Sequence, residues 1–288
     1  MDSTKFCSMP CVGGKSFCIP EPSATKPSDF KFYEDGDRAL YMVMIGNTQT
    51  NQRPKPEHKV AIVGLSPADT QLRQFSEKYN RTRSYEDSAL EAAFEGLEKD
   101  LVRMMNGLGV TKKLGLERLP DTIDLNRCGH FLTTSLIKCA SLTLNGCSSD
   151  FDLWKYQSNV RCVTERFIPE IISSESISHI LILGNKAKKA LTEKIRIDGI
   201  SVHEYLEEWG KKIAYLPHPS GANRESVDLA SLDSKDFPTM EQHQDRMWSK
   251  YQRKRLQEGN KVEDESSYKR TRGSRWKAIH EIRQIFNA

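Results

Sequence analysis

The chain has 288 residues, 37% hydrophobic and 28% charged, enough for one large α/β domain with polar appendages. No apolar run approaches the ~20 residues of a membrane span. Met1-Asp2-Ser3-Thr4-Lys5 leads into no apolar signal core, so a cytoplasmic protein with no membrane partner is expected. The net charge of +4 is unevenly placed: residues 241–288 hold 12 Lys and Arg against 7 Asp and Glu, leaving the rest at −1. Such a cationic end suits a phosphate backbone, and a solvated charged helix accounts for the same composition.

Residues 1–28 are rich in Cys, Pro, Gly and Ser and read as loop. Short strands are expected at 30–33 and 39–45, around a turn at 34–37. A polar linker at 47–58 leads to a buried strand at 59–64. Leu90, Phe94, Leu97, Leu101, Met104 and Met105 recur with a helical period over 85–106. Residues 131–139 read as a second core strand, and 159–172 as an amphipathic helix with Phe167 and Ile171 on one face. A strand at 179–184 runs into a helix at 185–195, and a last strand at 212–216 is stopped by Pro217. Beyond Pro238 the chain reads as helical and basic, and no internal repeat is seen.

Strands alternating with helices predict an α/β fold, a three-layer α/β/α sandwich with a central, mainly parallel sheet. The division expected is 1–58 as a loop-rich extension, 59–238 as the α/β domain and 239–288 as a basic helical extension. Ligands gather at the carboxyl ends of such strands. Two strand ends carry unusual chemistry. The first is Gly64-Leu65-Ser66-Pro67-Ala68-Asp69, where glycine admits close approach and proline stiffens the loop. Taken alone it is an ordinary strand-to-helix turn. The second is Pro217-His218-Pro219-Ser220-Gly221-Ala222-Asn223-Arg224, which holds a histidine between prolines at a strand mouth.

Together these two segments resemble the uracil-DNA glycosylase superfamily, with its Gly-X-X-Pro loop after the first core strand and His-Pro-Ser loop after the last. The resemblance covers about residues 59–226 in order. It includes the strand ending in Lys138-Cys139, the helix from Cys162 to Ile172, and Gly184-Asn185-Lys186-Ala187 after an apolar strand. It implies a DNA glycosylase that flips a base out of the helix and hydrolyses its N-glycosidic bond. His218 matches the residue that stabilises the departing base. Ser220 and Gly221 match the segment that grips the DNA backbone, and Asn223 and Arg224 are candidates for added phosphate contacts.

The departures from the family pattern bear on substrate. Leu65 and Ser66 stand where many members carry the carboxylate or Asn that places water. Asp69 is the nearest downstream candidate for that task, with a helix N-cap as its structural alternative. Glu86 and Asp87 are weaker candidates. Gly64, Leu65, Ser66 and Pro67 would line the base pocket, and Tyr85 is a candidate for stacking on the base or for the core. Ser135 stands where the family usually has Asn, and one hydroxyl cannot copy a bidentate amide. A modified or non-canonical base is therefore expected rather than plain uracil. Modified cytosine in viral DNA is one such class, which would make this a defence enzyme. A conventional uracil-repair enzyme and a non-catalytic nucleic-acid-binding module are the alternatives.

The chain has seven cysteines. Cys139 and Cys162 match positions that ligate a [4Fe–4S] cluster in a thermostable branch of the family. The upstream pair there is Cys-X-X-Cys, whereas this chain has Cys7, Cys11 and Cys18. Plain thiols, no metal and no cofactor are expected. Gly13-Gly14-Lys15-Ser16 lacks the earlier glycine and the strand of a phosphate loop, with Met9 where that glycine belongs. In the basic end, Arg253, Lys254 and Arg255 are candidates for DNA contact, interleaved with Trp248, Tyr251, Tyr268 and Trp276. The expected partner is DNA and the expected state a monomer.

Overall fold

Short apolar runs, each closed by a glycine, a polar residue or proline, form the strands at the centre of this protein. The computed structural model describes residues 7–12, 15–17, 24–35, 38–41, 57–94, 96–143, 152–220, 223–262 and 264–287. The chain divides into two compact units, residues 1–98 with 124–215 and residues 99–123 with 216–288.

In the first unit, β1 (Cys7–Val12) and β2 (Lys15–Phe17) form an antiparallel hairpin. β3 (Lys31–Asp35) and β4 (Arg38–Tyr41) flank the expected turn. β5 (Val60–Gly64), α1 (Asp69–Thr82) and α2 (Tyr85–Ala92) follow. The expected helix over 85–106 is broken. Phe94 and Gly96 take left-handed backbone, with φ of 59° and 76°, and end the first helix before α3 (Glu98–Leu108) begins. After α4 (Val110–Lys113) come β6 (Phe131–Ser135) and β7 (Ala140–Thr143), which replace the single strand expected over 131–139. The chain bends after Ser135 and changes sheet, because β7 pairs antiparallel with β4 in a second sheet ordered β3-β4-β7.

Next come α5 (Gln157–Cys162) and α6 (Ile168–Ile172). They are one helical run widened over Val163–Phe167, where the Ile168 N–H reaches the Val163 carbonyl. Pro169 has no amide to give the regular ladder, which accounts for the irregularity. β8 (His179–Leu183), α7 (Asn185–Lys189), β9 (Arg196–Ile197), β10 (Ile200–Ser201), α8 (Val202–Glu208) and β11 (Lys212–Leu216) complete the series.

The central sheet is ordered β11-β8-β5-β6. β5 runs parallel to β8 from Val60↔His179 and to β6 from Val60↔Phe131 to Gly64↔Ser135. This in-line register brings the carboxyl ends of β5, β6 and β8 to one edge. Every residue of β6 and β8 is buried, so both faces of the sheet are covered, as parallel sheets require. On one face Ala61, Val63, Leu132, Ile180 and Ile182 pack with Phe167, Ile171, Leu191, Val202 and Leu206 from the helices. The fold is the expected α/β sandwich with a parallel core.

The second unit holds α3 from Lys99, α4, α9 (Arg224–Ala230), α10 (Met240–Gln257) and α11 (Glu265–Asn287). Thr239 caps α10 by accepting the Gln242 N–H at 3.2 Å. α3 crosses the end of α9 so closely that a Cβ on Gly107 would lie 2.3 Å from the Ala230 carbonyl oxygen. α10 and α11 form an antiparallel hairpin, with Trp248, Tyr268, Ile279, Ile282 and Phe286 buried. Among the described residues no helix is long and apolar enough to cross a membrane.

Candidate active site

The first motif lies in the first unit. β5 ends at Gly64 and β6 at Ser135, and the register sets these two residues opposite each other. A Cβ on Gly64 would stand 3.7 Å from Ser135 Oγ, so the missing side chain leaves a slot beside the hydroxyl. Ser135 is 3% exposed. The two loops continue side by side. Leu136 N–H donates to the Gly64 carbonyl and Ile137 N–H to the Leu65 carbonyl, both at 2.9 Å. Leu65 packs on the apolar core, Ser66 is half-buried and Pro67 is buried, which makes this loop rigid.

Just beyond Ser135 lies a pair that the sequence reading passed over. Lys138 Nζ, buried, donates to Thr134 Oγ1 and to Glu170 Oε2 on α6. Thr134 Oγ1 also donates to Glu170 Oε2, at 3.2 Å. This closed network pins the end of β6 to the helix behind it. A lysine three residues after a buried strand end, with a glutamate in an apolar helix, was the available signal.

Asp69 is the first residue of α1, not its N-cap. Ala68 holds the cap position, and its N–H donates to Gln71 Oε1 at 2.9 Å. The Asp69 carboxylate meets Arg73 at 2.8 Å on the exposed side of the helix. Tyr85 is buried and starts α2. Its ring lies edge-on to Phe75 with centroids 4.9 Å apart, in a cluster that includes Phe30 and Tyr79. The ring thus packs the core, the second of the two roles expected for it. Glu86 and Asp87 are exposed in the first turn of the same helix.

The second motif follows β11 directly in the chain. Pro219 is buried and His218 exposed. The turn is tight: Ser220 N–H reaches the His218 carbonyl at 2.7 Å and Asn223 N–H the Ser220 carbonyl at 2.9 Å. Asn223 Nδ2 donates to Ser220 Oγ at 3.4 Å. Gly221 lies outside the described residues. Desolvation pushes the His218 pKa below the ordinary histidine value, which favours the neutral ring even though part of its surface meets water. Arg224 is held by two carboxylates within its own unit, Asp100 at 3.0 Å and Asp228 at 2.9 Å. Its guanidinium therefore anchors the start of α9.

The family model described as Uracil DNA glycosylase superfamily matches residues 52–249. The chain belongs to the uracil-DNA glycosylase superfamily. The Gly64–Pro67 and His218–Ser220 segments both fall inside the matched residues, and membership supports a DNA-glycosylase type of function with DNA as partner. No curated protein matches the chain.

Cys162 is buried, and Cys139 packs with it against Ile137, Leu153 and Trp154. Lys138 N–H donates to Cys162 Sγ at 3.3 Å. β1, whose sequence contains Cys7 and Cys11, packs on α5, whose last residue is Cys162. Among the described residues no group of three or more His, Cys, Asp or Glu is placed to hold a metal ion. The side chains of Cys7, Cys11, Cys18 and Cys147 lie outside that description.

Proposed function

We propose that this protein excises a base from DNA by hydrolysing its N-glycosidic bond, and that the base is a modified one rather than plain uracil. The observation that carries the substrate reading is the buried Ser135, whose hydroxyl lies 3.7 Å from where a Gly64 Cβ would stand. That corner offers one rotatable hydroxyl beside a position with room for no more than a methyl group in ordinary contact, where a paired donor and acceptor would be needed to select uracil. A base bearing an added group, such as a modified cytosine of viral DNA, suits it and would make the protein a defence enzyme.

In this reading the bond between C1′ and the base breaks with its electron pair moving to the base. Water then adds to C1′ and loses a proton to solvent, while the departing base anion takes one up and leaves as the neutral free base. His218, neutral at pH 7, donates a hydrogen bond to the base as negative charge develops on it. The Ser220–Asn223 turn grips the backbone phosphate beside the flipped nucleotide. Asp69, fixed at the head of α1 by Arg73, orients the water. The test is a panel of DNAs, each with one modified base or uracil, scored for alkali-labile abasic sites. Breaks at a modified base with little at uracil are expected. Selective uracil cleavage overturns the substrate reading, and no cleavage of any base favours a binding module.

A further inference from the structure

The hairpin of α10 and α11 sorts its cations into two groups. One group is consumed within the second unit. Arg272 and Arg275 reach Glu225 at 3.1 and 2.6 Å. Lys269 meets Asp245 and Glu265. Arg255 closes the interhelix loop by donating from Nε and one terminal nitrogen to the Lys261 carbonyl, at 2.9 and 2.7 Å. The other group is Arg246, Lys250, Arg253 and Lys254, all exposed. Among the described residues Lys254 has one ion pair, a long i,i+4 pairing with Glu258 at 3.8 Å, and Arg246, Lys250 and Arg253 join none; Arg253 Nε donates to the Ser249 carbonyl one turn back at 3.2 Å, which leaves its terminal nitrogens facing water. Their spacing of four, three and one residues sets them along one face of α10, a span of about 12 Å at ~1.5 Å per residue.

The aromatic residues are divided in the same way. Tyr251 stacks on Tyr268 at 4.4 Å and on Trp248 at 5.6 Å. Trp276 stacks on His280 at 4.6 Å and donates Nε1–H to the Pro238 carbonyl. All four hold the hairpin together, so none is left as a platform for unstacked bases. What faces water on this side of α10 is charge without aromatic surface.

We propose that Arg246, Lys250, Arg253 and Lys254 form a docking face for the phosphate backbone of duplex DNA. Cations alone capture a duplex, whose axis carries about one negative charge per 1.7 Å, whereas single-strand binding draws on stacking that this face lacks. Three of the four residues lie beyond residue 249, where the superfamily match ends. The face thus lies mostly outside the matched residues, and contacts of this kind read no sequence. The inference rests on DNA being the partner and not on which base is excised.

The experiment compares full-length proteins binding an unmodified labelled duplex, and the same sequence as a single strand, from about 50 to 200 mM salt. One variant is Lys250→Gln/Arg253→Gln. The control, Arg270→Gln/Lys277→Gln, removes the same charge from exposed positions of α11. Glutamine keeps helix propensity close to that of Lys and Arg, so both should retain wild-type helicity and melting. The α10 variant is expected to flatten the slope of log affinity against log salt by ~2 on duplex, and the control by less than about 0.5. Equal flattening by both pairs, an unchanged slope, or a larger loss on single strands than on duplex overturns the proposal. Because the DNA carries no target base, a failure of the excision reading leaves this result interpretable.

Discussion

Gly64 and Ser135 face each other across adjacent parallel strands, with 3.7 Å between the Ser135 hydroxyl and the place a Gly64 Cβ would occupy. Ser135→Asn should fill the slot with a paired donor and acceptor. Excision of uracil is expected to rise ~10-fold or more relative to the modified base, since a matched polar contact outweighs one methylene-sized change in fit. Gly64→Ala meets only ordinary van der Waals contact, so its melting should stay near wild type while excision of bulky bases falls. Competition kinetics on mixed substrates reads both effects.

The ion pair of Lys138 with Glu170 is a separate matter of stability. Both side chains are nearly buried, at 9% and 13% exposure. Lys138→Met leaves the carboxylate without its cation in a dry site and should cost ~3–5 kcal/mol in urea unfolding. Lys138→Met/Glu170→Leu should recover most of that loss, because no buried charge remains. Equal losses in both variants would assign the cost to packing.

Buried strands were legible from residues alone because apolar runs such as Val60–Val63 and His179–Leu183 end in residues that stop a strand. The break between α2 and α3 was not, because the helical apolar period runs on through Phe94 and Leu97 while the backbone turns left-handed at Phe94 and Gly96. Gly64, Ser135 and His218 stand out as candidates in the sequence because each lies at or just after the end of a strand. What Arg224 and Arg255 do could not. Their partners, Asp100 and the Lys261 carbonyl, are fixed by packing and carry no periodic signal. Tyr85 illustrates the same limit, since an aromatic at a helix start looks alike whether it faces a ligand or Phe75.

His218→Ala should lower excision ~10²-fold or more while leaving the melting temperature close to wild type, since the side chain is exposed. The pH profile gives a second readout. Desolvation disfavours the imidazolium and lowers its pKa from the ordinary 6.5. As pH falls, the unfolded chain takes up this proton first, so acidification removes stability and neutral imidazole together. Excision should therefore hold steady from pH 8 down to about 6.5 and decline only below it. The His218→Gln variant should lose that acid limb.

Iron analysis of the purified protein tests the cysteine reading. Iron-free protein is expected, with Cys139 and Cys162 as plain thiols. About four irons per chain, with a broad visible absorbance lost in Cys162→Ser, would overturn that reading in favour of a thiolate-held [4Fe–4S] cluster.

The most direct measurement is of the released product. Duplexes identical except for one modified base or one uracil are incubated with the protein, and the small-molecule fraction is analysed by chromatography and mass spectrometry. Free modified base is predicted, intact and equal in amount to the abasic sites formed, with little free uracil from the matched duplex. Free uracil as the main product, or abasic sites without a matching free base, would contradict excision of a modified base by N-glycosidic hydrolysis.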